Sequence, residues 1–186
     1  MRIEGRAGSL RPIALTQRGA LQRVWGIAVV TNLPAHVPQR MANRAGNVLA
    51  EADLQPHVEP RRLRGAGPGA GIFLFAEYAT PRGDAITAGF TAYGRKGLPA
   101  ERVAEMACED LLTHHRSGAP ADPHLADQLV LPMALAEGES RVRASQISPH
   151  LLTNVWAVRQ FLARVMHIEG QPGEAGTLVV KGEKRD

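Results

Sequence analysis

Two spacings of apolar residues alternate along the chain, one near two residues and one near ~3.6. Residues 10 to 34, LRPIALTQRGALQRVWGIAVVTNLP, place Val24, Ile27, Val29 and Val30 after a Gln17-Arg18-Gly19 turn, which predicts a strand, a turn and a second strand. The period then changes. Val37, Met41, Ala45, Val48 and Leu49 recur at helical spacing over 34–51, with Arg40 and Arg44 on another face and Pro34 and Pro38 at the start. Strands are predicted over 56–64, 72–79 and 84–94, with the glycine-rich stretch GAGPGAG between the first two. Residues 98–118 read as a helix with Pro99 near its start, Val103, Met106, Ala107 and Leu111 as its buried stripe, and Gly118 as its stop.

Beyond residue 119 the pattern is helix over 123–138, strand over 140–147, helix over 148–163, strand over 164–170 and a short strand at GTLVV, 176–180. Pro132 is expected to end or kink the first of these helices near Leu131. In the second, Leu151, Leu152, Val155, Val158 and Leu162 are expected to face a core. The order suggests two units. Residues 24–118 form a small β-α-β-β-β-α module, and residues 119–182 form an α-β-α-β unit that takes strands from residues 1–23 as a first hairpin. Residues 183–186 belong to a solvated tail. The fold class is α+β or α/β.

Composition adds little to this picture and charge adds somewhat more. Apolar residues make up 44% of the 186, enough for a sizeable core. With aromatics at 4%, that core rests on aliphatic side chains. A net charge of +4 favours a phosphate-bearing or otherwise acidic partner. Cys108 is the one cysteine, which excludes an internal disulfide and fits a reducing, cytoplasmic setting. No apolar run approaches ~18 residues, so no membrane-spanning helix is expected. The first residues, MRIEGRAGS, lack the apolar stretch of a signal peptide.

Several segments could carry chemistry. GAGPGAG lacks the Lys-Ser/Thr pair of a phosphate loop and precedes a strand rather than a helix, so it reads as a structural turn. Arg61, Arg62 and Arg64 would suit a nucleic-acid backbone or simply a solvated strand end. In HLADQ, His124, Asp127 and Gln128 share one helix face. They form either a polar surface opposite Leu125, Leu129 and Val130, or a set that hydrogen-bonds a nucleoside while the imidazole stacks on its base. In SPHLLTN, Ser148 is a good N-cap and Pro149 a good first helical residue, which puts His150 among the free N–H groups of a helix start. That end of a helix welcomes an anion such as phosphate. His150 there is either a solvated polar residue or a nucleophile aimed at phosphorus. His114, His115, His124, Asp127 and His150 show no recognised metal-ligand spacing, so no metal site is expected.

Three of these segments, GLPAERVAEMACEDLL, HLADQLVLPMALAEGES and SPHLLTNVWAVRQFL, resemble the RNA 3'-terminal phosphate cyclase family in order and spacing. The early LRPIALTQRGALQRVWGIAVVTNLPAHVPQRM and GPGAGIFLFAEY are similar to it too, so the resemblance spans nearly the whole chain. It implies a ligase that uses ATP and a divalent cation, usually magnesium, to convert an RNA 3'-phosphate into a 2',3'-cyclic phosphodiester through a covalent histidine–AMP intermediate. By that likeness His150 is the nucleophile. His124, Leu125, Ala126, Asp127 and Gln128 form part of the ATP site, with His124 where some members have a tyrosine that stacks on adenine. The resemblance also implies a large domain of repeats like the C-terminal domain of translation initiation factor 3, the last interrupted by a small thioredoxin-like module.

Family members are roughly twice this length. The chain therefore reads as a C-terminal part that lacks the N-terminal repeats, and its expected partners are RNA with a 3'-phosphate end, ATP, and either the absent half or a second copy of itself. The rival expectation is a non-catalytic RNA-binding or rRNA-processing relative. One branch of the family lacks the histidine, and His150 argues against membership in it.

Overall fold

The computed structural model describes residues 8–81 and 83–182. They form a mixed α/β structure whose elements fall into two compact units, residues 18–116 and residues 8–17 with 117–182. In each, the alternation of apolar and polar residues selects one face of a four-stranded sheet, and two helices cover that face.

In residues 18–116 the strands are β2 (Leu21–Thr31), β3 (Pro56–Leu63), β4 (Gly69–Ala79) and β5 (Ala85–Tyr93), in the order β3-β2-β4-β5. β3 runs parallel to β2, and the other neighbours are antiparallel. The helices are α1 (His36–Ala50), which joins β2 to β3, and α2 (Ala100–Ser117), which follows β5. Val24, Ala28, Val30, Ile72, Leu74, Ala76 and Phe90 point from the sheet into a core completed by Met41, Ala45 and Leu49 of α1 and Val103, Ala107 and Leu111 of α2. The helices meet through small residues, with Cys108 Sγ 4.0 Å from the Ala45 carbonyl. This moves the buried stripe of α2 from the expected set to Val103, Ala104, Ala107, Cys108 and Leu111, and leaves Met106 exposed. The ion pairs Arg40–Glu101 and Arg44–Glu105 bridge α1 and α2. Both are solvent-accessible, so screening leaves them little weight in stability beside the packed core.

The chain enters and leaves this unit at one place. Gly19 N–H donates to the Ala79 carbonyl, and the Arg18 guanidinium donates to the His114 and His115 carbonyls at the end of α2. Arg18 also lies 3.9 Å over the Tyr78 ring. The Gln17-Arg18-Gly19 segment is thus a crossing point and not a hairpin turn.

β1 (Ala14–Leu15) and β2 lie in different sheets. β1 pairs in parallel with β6 (Glu139–Ala144), and the second sheet runs β1-β6-β8-β7, with β7 (Val165–Glu169) and β8 (Gly176–Lys181) closing it as a hairpin. α3 (Pro123–Leu135) and α4 (Pro149–Phe161) pack together over one face. Val130, Met133, Val142, Leu151, Val155 and Leu178 form the core between.

Pro132 does not end α3, which continues to Leu135. Only one turn lies beyond it, and burial of Met133 and Ala134 outweighs the single lost backbone bond. In α4, Leu151 and Val155 are buried, whereas Leu152 is exposed, contrary to the expectation from spacing. Among the described residues, no helix is long and apolar enough to cross a membrane.

Candidate functional site

The sequence-predicted residues gather at the starts of α3 and α4. Both helices begin at the end of the sheet where β6 finishes, because Ala121, just before α3, bridges in parallel to Ala144, the last residue of β6. Ser145 N–H donates to the Ala121 carbonyl at 2.8 Å. The helices then run alongside each other, tied by Asn154 Nδ2, which donates to the Asp127 carbonyl at 3.3 Å.

The two starts share one local design. In α4, Ser148 is the N-cap: its Oγ accepts from Leu151 N–H at 3.1 Å, Pro149 follows, and His150 is the second helical residue. In α3, Asp122 is the N-cap: Oδ1 accepts from His124 N–H at 2.8 Å and from Leu125 N–H at 3.0 Å, Pro123 follows, and His124 takes the position that His150 has in α4. Capping fixes both backbones because a side-chain oxygen satisfies N–H groups that have no partner within the helix. Asp122 escaped the sequence reading. Its signal is the Asp-Pro-His-Leu run at 122–125, which parallels Ser-Pro-His-Leu at 148–151.

Ile147 anchors the α4 start. Its N–H donates to the Glu174 carbonyl at 2.7 Å and its carbonyl accepts from Gly173 N–H at 3.0 Å, so the β7–β8 loop holds residue 147 from both sides. Gly170 in that loop has φ +130°, and a Cβ there would stand 2.9 Å from Ile147 Cδ1. Only glycine fits this turn without strain.

The imidazoles of His150 and His124 are exposed, as is Gln128; Asp127 and Leu125 are half-buried, and Ala126 is buried in the core. Ala126 therefore supplies helix packing and backbone, while His124, Asp127 and Gln128 lie toward solvent. The surface so formed is open. A cavity of about 150 Å³ in this unit lies elsewhere, lined by Leu10, Arg11, Ile13, Leu129, Pro132, Met133 and Ser140. Chemically, the site offers a solvent-accessible imidazole among helix N-terminal N–H groups, with a second imidazole, a carboxylate and an amide on the adjacent helix. Among the described residues, no group of three His, Cys, Asp or Glu side chains is placed to hold a metal ion.

Comparison with known proteins places both units. The family model described as RNA 3'-terminal phosphate cyclase, insert domain, matches residues 16–116. A relative from Methylococcus capsulatus named RNA 3'-terminal phosphate cyclase is 51% identical over 180 residues, 96% of this chain and 48% of that protein. Proteins of the same name from Nostoc punctiforme and Thermococcus kodakarensis are 53% identical over 149 residues and 42% identical over 156. These alignments cover 80% and 83% of this chain, and 41% and 43% of the relatives. The chain thus spans about half the length of the curated relatives it matches. With its insert module matched end to end and its flanking site unit aligned in the longest of these comparisons, the chain belongs to the RNA 3'-terminal phosphate cyclase family.

Proposed function

We propose that this chain carries the nucleotide-activating part of an ATP-dependent RNA 3'-phosphate cyclase, acting together with groups of the kind found in the other half of its relatives. The observation that carries this reading is the placement of an exposed His150 on the capped start of α4, beside the matching start of α3. In this reading ATP is a substrate bound with its phosphates toward the positive dipole end of α4 at His150, the N–H groups of the α3 start being taken by Asp122. Asp127 and Gln128 hold the nucleoside by hydrogen bonds, and His124 stacks on the adenine.

One ring nitrogen of His150 attacks the α-phosphorus. The bond to the β-phosphate oxygen breaks, pyrophosphate leaves, and AMP remains joined to the imidazole through a P–N bond. An oxygen of the RNA 3'-phosphate then attacks the same phosphorus and displaces His150. Finally the 2'-hydroxyl attacks the activated RNA phosphorus, loses its proton, and expels AMP as the 2',3'-cyclic phosphodiester closes. A divalent cation such as magnesium, carried by the ATP phosphates, would offset their charge.

Two finer structural assignments belong to the same reading. The β1-β6-β8-β7 order with two helices on one face supports an initiation-factor-3 C-terminal-like repeat. The β3-β2-β4-β5 order supports a thioredoxin-like insert whose β3–β4 connection carries no helix.

The test is a chimera in which this chain replaces the matching half of the Methylococcus capsulatus relative, incubated with α-labelled ATP and magnesium. We expect an acid-labile AMP adduct at His150 and at least a 100-fold loss of labelling in His150→Ala. An unlabelled chimera, or labelling that survives the substitution, overturns the assignment.

A further inference from the structure

We infer that the sheet face of residues 18–116 turned away from α1 and α2 is a binding surface for a single strand of RNA. Both helices of the unit lie on one side, since Tyr78 and Phe90 of the inner face meet His114 of α2, and Cys108 of α2 meets Ala45 of α1. Among the described residues of the unit, no helix lies on the other face. Half of the chain's eight aromatic residues stand on it: Trp25, Phe73, Phe75 and Tyr93. Strand register puts them there together, with Trp25 beside Phe75 and Tyr93 beside Gly71.

The rings form a graded platform. Trp25 and Phe75 stack at 5.5 Å with 25° between planes, and the Arg23 guanidinium lies 4.2 Å over Trp25. Tyr93 meets Phe73 edge-on at 6.1 Å and is 68% exposed. Gly71 carries no side chain, and a Cβ there would stand 3.4 Å from the Tyr93 ring, so the ring leans over bare backbone. Aromatics that fill no core of their own unit, set beside glycine and arginine, suit the π-faces of unstacked bases.

Charge selects the occupant. Arg23 and Arg61 are paired to Glu77 and Glu59. At the end of the sheet where β2, β3 and β5 finish, Arg62, Arg64, Arg95 and Lys96 are exposed. Arg62, in register with the core residue Val30, lies on the helix side of the sheet and donates from Nε to the Leu33 carbonyl. Arg62 and Arg64 line an open cavity of about 450 Å³ with Asn32, Leu63 and Gly65. Arg64, Arg95 and Lys96, which follow Leu63 and Tyr93 at that end of the sheet, match a polyanion with exposed bases better than an apolar protein surface. A duplex hides its base faces and would use the rings poorly. The choice of RNA over another single strand rests on the function proposed above.

The experiment is fluorescence anisotropy of the full chain with a labelled single-stranded oligoribonucleotide ending in a 3'-hydroxyl, without ATP. Such an end has no phosphate to activate, so this binding and the His150 reaction succeed or fail separately. Tyr93→Ala should weaken binding at least fivefold, Tyr93→Phe should retain it, and His150→Ala should leave it unchanged. Arg64→Ala with Lys96→Ala should reduce the slope of log affinity against log salt by about 0.7 per removed cation. Absence of binding by the unaltered chain, equal binding by Tyr93→Ala, equal affinity for the duplex of the same sequence, or a Tyr93-dependent self-association in place of RNA binding would each overturn the inference.

Discussion

Single residues here are governed by whether burial is accompanied by a partner. Cys108 is fully buried between α1 and α2, and burial pushes its thiol up to about 12. At pH 8 the thiolate fraction of such a group is on the order of one in ten thousand, and the thiolate is the reactive form. The folded protein should therefore resist iodoacetamide at pH 8 and be alkylated within minutes in denaturant, read by intact mass. Rapid alkylation of the folded chain would mean that the α1–α2 seam opens. His150 is the reverse case, an exposed imidazole whose neighbours fix its backbone and leave its ring in solvent. The cap at Ser148 and the proline behind it are legible from sequence because capping is local chemistry within four residues. Proximity of residues 124–128 to residue 150 is not local. It depends on Ala121 bridging Ala144 and on Asn154 reaching Asp127, which no spacing rule reports.

At the scale of elements, the ends of α2 show how tertiary partners replace the usual helix signals. A protonated histidine in the last turn ordinarily benefits from the helix dipole. Here Arg18 already occupies the terminal carbonyls. Burial, then Arg18 and Arg116, hold the His115 imidazole below its ordinary value of 6.5, with Nδ1 3.2 Å from the Tyr78 hydroxyl. The sign follows from proton counting. Below about pH 6.5 the unfolded chain binds a proton that the folded chain resists, so this stability is present above the unfolded value and lost as pH falls through the folded one. His115→Gln should flatten the fall in melting temperature between pH 7.5 and 5.5 relative to the unaltered chain; an unchanged slope would sink the argument.

Helix and strand periods were legible wherever an element faces one core, as in β4, where burial alternates along Ile72, Leu74, Ala76 and Tyr78. They misled where a second helix supplies the contact. Small residues at Ala104 and Cys108 let α2 approach α1 and turned Met106 outward, and spacing alone could not rank those positions. The apparent β1–β2 hairpin failed for a similar reason, because the partner of β1 lies 127 residues away in β6.

Among the described residues, each unit has a hydrophobic core of its own, one in residues 18–116 and one in residues 8–17 with 117–182. Arg18 ties the entry of the first unit to its exit at His114 and His115, and Gly19 ties the entry to the end of β4 at Ala79, so the ends of this unit are held by its own residues. Cooperative unfolding extends as far as shared packing does, and two self-contained cores should melt as two transitions. Leu74 is fully buried in the first core and Leu178 is 1% exposed in the second. Truncating such a leucine to alanine costs roughly 2–5 kcal/mol. In a unit of about a hundred residues that lowers the midpoint by roughly 10 °C or more. In calorimetry, Leu74→Ala should shift one transition and Leu178→Ala the other, each leaving its companion in place. A single transition displaced equally by both substitutions would show that the units unfold as one body, and the insert would then be a part of the site's scaffold instead of a module carried beside it.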